Sequence, residues 1–152
     1  MSLTFSVNNF EKYWEITQNK VSEYLNDDLN EEKAIECSIH LWHMCDWFYE
    51  KYKSKISYND LSNMKGDFGS ECISLRIMRD ICNSYKHSKL REDSKPMLKS
   101  AVKHKGAFSR AFSSGFDISF LEAITNDGHK SDFKDDVREV LKFWNDKISV
   151  YN

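Results

Sequence analysis

Turn-forming residues are scarce in this chain, whose 152 residues include five glycines and one proline. All-β domains need many turns, so this scarcity argues against them and favours helices. Hydrophobic residues make up 40% of the chain and aromatic residues 14%, which is too many for a disordered protein and enough for a buried core. The length suits one domain, and we therefore predict a single helical-bundle domain over residues 1–152.

Sequence signatures of several protein classes are also absent. The chain has no P-loop, no GxGxxG fingerprint, no GxSxG serine elbow and no CxxC pair, and we expect neither a cofactor nor a metal. No stretch approaches the roughly 20 apolar residues of a membrane span, and the N-terminus does not resemble a signal peptide. We expect no membrane partner and a cytoplasmic location. The four cysteines fall in predicted helices beside apolar neighbours, as buried thiols of a reducing compartment do.

Four stretches carry apolar residues at helical spacing. They are residues 8–26, Glu31–Tyr52, about Ser70–His87, and a last stretch that begins after Ser131 or Asp132. Asn30 is a suitable N-cap for the second helix, and residues 53–69 are interpreted as a connection that could contain a short turn of helix. We therefore predict a mainly α fold, a bundle of four main helices that bury their apolar stripes together.

Two of these helices have features that bear on function. The second is apolar on two sides, which is typical of a central helix, yet Asp46 lies on one of its apolar stripes. A buried carboxylate needs a partner, so Asp46 is an anomaly to be explained. In the third helix the predicted apolar stripe contains Ile73, Ile77, Ile81 and Tyr85.

The spacing of apolar residues changes from a helical to an alternating pattern before the last helix. Residues 116–120 alternate apolar and polar side chains, which indicates a half-buried strand, and the Asn-Asp-Gly sequence at 126–128 indicates a turn. Residues 97–112 fit either a short helix after Pro96 or a strand that pairs with residues 116–125. We favour a small β-hairpin, at about 97–125, inserted before the C-terminal helix.

A polar face runs along the third helix. At 100° per residue, four of its residues fall within about 60° of arc and two more border them. The six residues, here called the polar ribbon, are Arg76, Arg79, Asp80, Asn83, Lys86 and His87. Guanidinium groups, an amide, an ammonium and an imidazole that titrates near neutrality are the groups needed to hold a phosphate and move a proton.

Charge is unevenly distributed around this ribbon. Between Lys86 and Arg110, eight Lys or Arg residues stand against two acidic ones, a local charge of +6 in a chain whose net charge is −2. Such a segment can face an anionic partner. If the second and third helices pack side by side, Asp46 could accept hydrogen bonds from Arg76, Asn83 or Lys86 and orient the ribbon. A solvated helix face without any ligand explains the same residues.

An arginine followed by a polar residue and then a histidine on one helix, within an all-helical outline, resembles the HEPN superfamily (higher eukaryote and prokaryote nucleotide-binding domains). The resemblance implies a helical bundle that is often dimeric. Many members are ribonucleases of bacterial defence or toxin–antitoxin systems, and others bind nucleotides without cleaving them. Carried over to this chain, Arg79 is the family's arginine, Asp80 its polar neighbour and His87 its histidine. Seven residues lie between Arg79 and His87, more than the family usually has.

Three functions follow as hypotheses, and whether the chain is an enzyme is left open. The favoured one is the binding of an anionic ligand, a nucleotide or RNA, by the polar ribbon and Asp46. The second is a metal-independent ribonuclease, in which His87 is acid or base towards the ribose 2′-hydroxyl and Arg79 stabilises the charge that develops on phosphorus. The third is a protein-interaction or homodimerisation module that binds no ligand.

Overall fold

A computed structural model describes residues 5–87, 96–104 and 119–152. The described residues form five helices, α1 (Phe10–Leu25), α2 (Glu31–Tyr52), α3 (Leu61–Glu71), α4 (Ile73–His87) and α5 (Phe133–Tyr151), and three strands, β1 (Leu98–His104), β2 (Phe120–Thr125) and β3 (Lys130–Asp132). The prediction of a mainly helical chain is confirmed, and a small antiparallel sheet accompanies the helices. Among these five helices none is long and apolar enough to cross a membrane.

Side-chain caps determine where four of the helices begin. The side chains of Asn9, Asn30, Asp60 and Asp132 each accept a hydrogen bond from a backbone N–H in the first turn of the helix that follows. Such a cap satisfies one of the N–H groups that have no partner within the helix. Because this signal is local, the bounds predicted for α2 and the cap predicted at Asn30 are confirmed, and α5 starts after one of the two residues proposed.

The region between α2 and α4 differs from the prediction. Residues 53–69, interpreted as a connection, contain most of α3, so the described residues have five helices where four were expected. The third helix was predicted to start near Ser70, but Ser70 belongs to α3. The chain is extended at Cys72, with φ −130° and ψ 97°, and this residue ends α3 and separates it from α4. Cys72 is therefore buried at a helix junction rather than inside a helix.

The sheet has the strand order β1-β2-β3, and both pairs are antiparallel. Leu98 pairs with Thr125 at one end of the β1–β2 ladder, and His104 pairs with Phe120 at the other. The Asn-Asp-Gly turn joins β2 to β3, a strand that was not predicted, and Gly128 there has a φ of +87° that favours glycine. The predicted strand residues 116–118 and the link between β1 and β2 lie outside the described residues.

Helix α2 lies at the centre of the core, as its two apolar sides indicated. Leu41, Met44 and Phe48 on one stripe are completely buried. Trp144 of α5 is also fully buried, and its indole Nε1 donates to the carbonyl oxygen of Leu41 at 3.0 Å. Aromatic rings of this size dominate the apolar area removed from water, and the indole hydrogen bond satisfies the one polar atom that is buried with the ring.

Helix α4 is buried over a wider arc than the predicted apolar stripe. Ile77 of the stripe is buried as expected and so is Leu75 outside it, whereas Ile73 and Tyr85, near the two ends of the helix, are 49% and 65% exposed. The buried arc is wide because α4 packs against α2, α5 and β1 at once. Asp80, which borders the predicted stripe, is carried into the interior with that arc.

Candidate functional site

Asp80 does not lie on an exposed polar face, because its side chain is completely buried. Its Oδ1 accepts from Arg79, at 2.9 Å from Nε and 2.8 Å from Nη2. Its Oδ2 accepts from the backbone N–H groups of Met97 and Leu98, each at 2.8 Å. Asp80 therefore ties α4 to the start of β1 and holds the Arg79 guanidinium in one orientation, and it is not free to contact a ligand.

Arg76 lies against helix α3. Its Nη2 donates to the hydroxyl Oγ of Ser70 at 2.8 Å. A Cβ atom at Gly69 would lie 3.0 Å from the Nε of Arg76 and 3.1 Å from its Cγ, so glycine is what permits this close approach. In the described part of the chain no carboxylate forms an ion pair with Arg76, and its one hydrogen-bond partner there is a neutral hydroxyl that leaves the charge uncompensated.

Both arginines face a cleft of about 260 Å³ between α4, α3 and α2. The residues that line this cationic cleft are Trp42, Ser62, Lys65, Gly66, Arg76 and Arg79. The Nζ of Lys65 lies 5.1 Å above the centroid of the Trp42 ring, a distance suited to a cation–π contact. Three cations from two helices thus converge on one opening.

Asp46 contacts Lys65 rather than Arg76, Asn83 or Lys86, which corrects the expected partner. The Nζ of Lys65 is 3.4 Å from Oδ1 and 3.3 Å from Oδ2, and the second contact does not have hydrogen-bond geometry. Oδ2 is buried, and among the described residues it has no hydrogen-bond partner. The side chain as a whole is 43% exposed, so the pair is long, partly wet and incompletely satisfied.

The rest of the polar ribbon lies beyond the cleft. Asn83 is half-buried, and Lys86 and His87 are exposed in the last turn of α4. His87 follows Arg79 by eight residues, which is about 12 Å along a helix axis at 1.5 Å per residue. The six residues of the ribbon therefore do not form one site. Two of them line the cationic cleft, one is buried beneath it, and three continue along the helix.

The charge of the cleft is positive after its internal ion pairs are counted. Arg79 is paired with Asp80, and Lys65 with Asp46, which leaves Arg76 as the uncompensated cation. A guanidinium fork, an ammonium and the hydroxyl of Ser62 are donors suited to one tetrahedral anion such as a phosphate group. The same positive charge disfavours a metal ion, and within the described residues no group of three or more His, Cys, Asp or Glu side chains could hold one.

Behind the ribbon, Cys82 of α4 lies beside His43 of α2, with Sγ 4.0 Å from Nε2. Burial raises the pKa of the Cys82 thiol, and burial lowers the pKa of His43. Both shifts favour the neutral forms, so the pair lacks the thiolate that a nucleophilic cysteine requires. We assign it a packing role.

Four residues of the cleft were missed by the sequence-based interpretation. Ser62, Lys65 and Gly66 lie in the segment interpreted as a connection, and Trp42 is an apolar residue of the second helix to which no functional role was given. A signal was present, because Asp60 is a good N-cap and residues 62, 65, 66 and 69 recur at helical spacing. Two glycines in so short a stretch weaken that signal, since glycine disfavours a helix interior.

None of the family models, curated proteins and solved structures with which the chain was compared matches it. The resemblance to the HEPN superfamily therefore stays a prediction, based on Arg79, Asp80 and His87.

Proposed function

We propose that this chain binds a phosphate-bearing anion, the phosphate of a nucleotide or of RNA, in the cationic cleft. The observation that carries the proposal is Arg76, a partly buried arginine that lines the cleft and has only the Ser70 hydroxyl as a partner among the described residues. Since no carboxylate of those residues pairs with it, its guanidinium is available for charge-assisted hydrogen bonds to an anion in the cleft.

The way each cation is held supports binding at this place. Arg79 is oriented by a buried carboxylate, so little side-chain freedom is lost when it contacts a ligand. Arg76 can exchange the Ser70 hydroxyl for a phosphate oxygen without leaving a buried polar group unpaired, because Ser70 is exposed and its hydroxyl can bind water instead. Charge-assisted hydrogen bonds from a guanidinium to a phosphate are stronger than those to a neutral hydroxyl.

Binding fits this geometry better than cleavage does. A ribonuclease based on Arg79 and His87 needs both side chains at one phosphate, yet Arg79 is tied to Asp80 while His87 is exposed two turns further along α4. The ribonuclease and homodimer hypotheses stay predictions from the sequence. Incubation of the protein with RNA in the absence of metal tests the first, since cleavage that His87→Ala abolishes would restore it.

The test of the proposed site compares two substitutions that remove the same charge. Arg76→Gln removes the uncompensated cation of the cleft, whereas Arg138→Gln removes an exposed arginine of α5 that pairs with Asp135. Affinity is measured by calorimetry for inorganic phosphate, for ADP and for a short single-stranded RNA, each at several salt concentrations. We expect Arg76→Gln to weaken binding about ten- to a hundredfold, because one charge-assisted hydrogen bond contributes about 1.5–3 kcal/mol.

Arg138→Gln is expected to leave these affinities unchanged. Equal losses in the two variants would mean that the ligands respond only to net charge, and the cleft would not be the site. Failure of all three ligands to bind the unaltered protein would also reject the proposal. A preference for RNA over ADP, with a steeper dependence on salt, would indicate that further phosphates contact the protein outside the cleft.

A further inference from the structure

We infer that Asp46 is a built-in competitor at the cationic cleft. Its carboxylate is paired with Lys65 while the cleft is empty, and this ion pair separates when a phosphate binds. The inference rests on the proposed function, and it adds that the affinity of the site is set by a residue that never contacts the ligand.

The two ion pairs beside the cleft differ in how easily they can open. Arg79 and Asp80 are joined through two guanidinium nitrogens at 2.8–2.9 Å, and Asp80 is also fixed by two backbone N–H groups. Lys65 and Asp46 are 3.3–3.4 Å apart, which is longer than the 2.7–2.9 Å typical of a charge-assisted hydrogen bond. The first pair is permanent, whereas the second is suited to exchange.

Contacts other than the one to Asp46 hold Lys65 in position when the ion pair separates. Its Nζ lies over the ring of Trp42, a buried residue of α2, and its backbone is part of helix α3. A phosphate in the cleft would give the ammonium a shorter and better-aligned partner than Asp46 does. Nothing in this exchange requires α3 to move.

Asp46 also opposes the ligand through its charge. It is an anion next to the cleft, and its attraction for Lys65 must be overcome each time a phosphate binds. Removing that charge should therefore tighten binding by about three- to tenfold, as expected for two unit charges several ångströms apart in an open cleft where water screens them. Had Asp46 served to position Lys65, removing it would weaken binding instead.

The experiment measures the affinity of the full chain for inorganic phosphate at low salt, by calorimetry, in a double-mutant cycle. The variants are Asp46→Asn, Lys65→Met and the double variant, with Asp146→Asn as the matched control. Asp146 forms an exposed pair with Lys142 on α5, so this control also frees a lysine and changes the net charge equally. We expect Asp46→Asn to tighten binding, Asp146→Asn to have no effect, and Asp46→Asn to lose most of its benefit in the Lys65→Met background, where only the charge repulsion between Asp46 and the ligand remains.

Two results would overturn the inference while the proposed function stands. Weaker or unchanged binding in Asp46→Asn would make Asp46 a positioning or neutral residue. Full retention of the tightening in the Lys65→Met background would mean that Asp46 acts through its charge alone and does not compete for Lys65. If Arg76→Gln leaves phosphate binding unaffected, or if the unaltered chain does not bind phosphate, the proposed function fails and the competitor role is rejected with it.

Discussion

Asp80 and Asp46 are the two aspartates beside the cationic cleft, and each forms an ion pair there, yet the two pairs have opposite character. Asp80 is completely buried and accepts four hydrogen bonds or ion-pair contacts, from Arg79 and from two backbone N–H groups. Asp46 is 43% exposed, and its long pair with Lys65 leaves one buried oxygen without a hydrogen bond among the described residues. The Arg79–Asp80 pair stabilises the fold, whereas the Lys65–Asp46 pair leaves Lys65 available to another anion.

This contrast reverses the roles that the sequence suggested. Asp46 lies on an apolar stripe and was expected to be the buried carboxylate, whereas Asp80 lies on the polar ribbon and was expected to face a ligand. Burial by itself therefore says little about function. What distinguishes the two is how completely the protein satisfies each carboxylate, because only the incompletely satisfied pair gains by exchanging partners.

The largest expected effect is a difference in protein stability between substitutions of Asp80 and of Asp46. Asp80→Ala leaves a guanidinium and two backbone N–H groups without their acceptor, and we expect it to lower the free energy of unfolding by about 3–5 kcal/mol. Asp46→Ala opens a partly exposed pair and should lower it by less than about 1 kcal/mol. Urea denaturation at pH 7 measures both values.

Similar losses in the free energy of unfolding for Asp80→Ala and Asp46→Ala would contradict the conclusion that the first pair is structural and the second exchangeable. If Asp80→Ala does not fold, Asp80→Asn is the informative substitution, since it keeps an oxygen that can accept from the backbone N–H groups of Met97 and Leu98. It should then be less damaging than alanine but more damaging than Asp46→Ala.

A smaller effect is expected from a substitution at Gly66, on the side of the cleft that α3 forms. Gly66 lines the cleft, and a Cβ atom there would meet nothing within 4 Å, so Gly66→Ala should stabilise the helix by about 0.5–1 kcal/mol. The added methyl group occupies space that a ligand needs, and phosphate affinity should fall while stability rises. Thermal unfolding and calorimetry on the same samples check the two opposite changes.

Gly69→Ala is a second test of the site, because it adds the same methyl group one helical turn away, next to Arg76 rather than in the cleft. There the Cβ would press on the Arg76 side chain, so part of the gain in helix stability should be lost and Arg76 displaced from the Ser70 hydroxyl. Unchanged phosphate binding in both variants would mean that neither the free space nor the placement of Arg76 matters to the site.

The smallest expected effect concerns a third carboxylate, whose hydrogen-bond partners in the part of the chain that the structure describes include no cation. Asp136 is 5% exposed and accepts from the hydroxyls of Ser74 at 2.8 Å and Ser131 at 2.6 Å. Ser74 Oγ also lies 2.7 Å from an oxygen of Glu139, and its single hydrogen cannot serve both carboxylates at once. Burial raises the pKa of Asp136, the neighbouring charges of Glu139 and Asp135 add to the rise, and the two hydroxyls oppose it.

Because this pKa is higher in the folded chain than in the unfolded one, protonation of Asp136 favours folding. That contribution is complete below the ordinary pKa of the carboxyl group and is lost as the pH rises through the raised value. Asp136→Asn imitates the protonated acid, so we expect its stability relative to the unaltered protein to be greatest at neutral pH and to decline towards pH 4. Urea denaturation at several pH values measures this difference, and a constant or increasing difference on acidification would contradict the assignment.

Much of the helical content was predictable because its signals are local. Asn30 caps α2 through a hydrogen bond three residues away, and the apolar period of α5 continues to the end of the chain. The turn at 126–128 was predicted for the same reason. The break at Cys72 was not predictable in this way, since Phe68, Cys72 and Leu75 keep a helical spacing across it and neither neighbour of Cys72 is a glycine or a proline.

The candidate site could be predicted only in part, on the helix that carries its arginines. Arg76 and Arg79 were identified from their spacing along one helix, and both line the cleft. Lys65 and Trp42 come from two other helices, and no spacing along the chain relates them to Arg76. Their convergence depends on how three helices pack, and the burial of Asp80 depends in the same way on the packing of α4 against its neighbours.

By itself the sequence determined that the chain is mainly helical, where α2 starts and ends, and that one helix carries a concentration of cations, because caps and periodicity act over a few residues. Only the tertiary structure decided which aspartate is buried, which lysine joins the arginines and which cation is left without a counter-charge. These outcomes depend on distances between helices, and such distances are set by packing across the core rather than by neighbours along the chain.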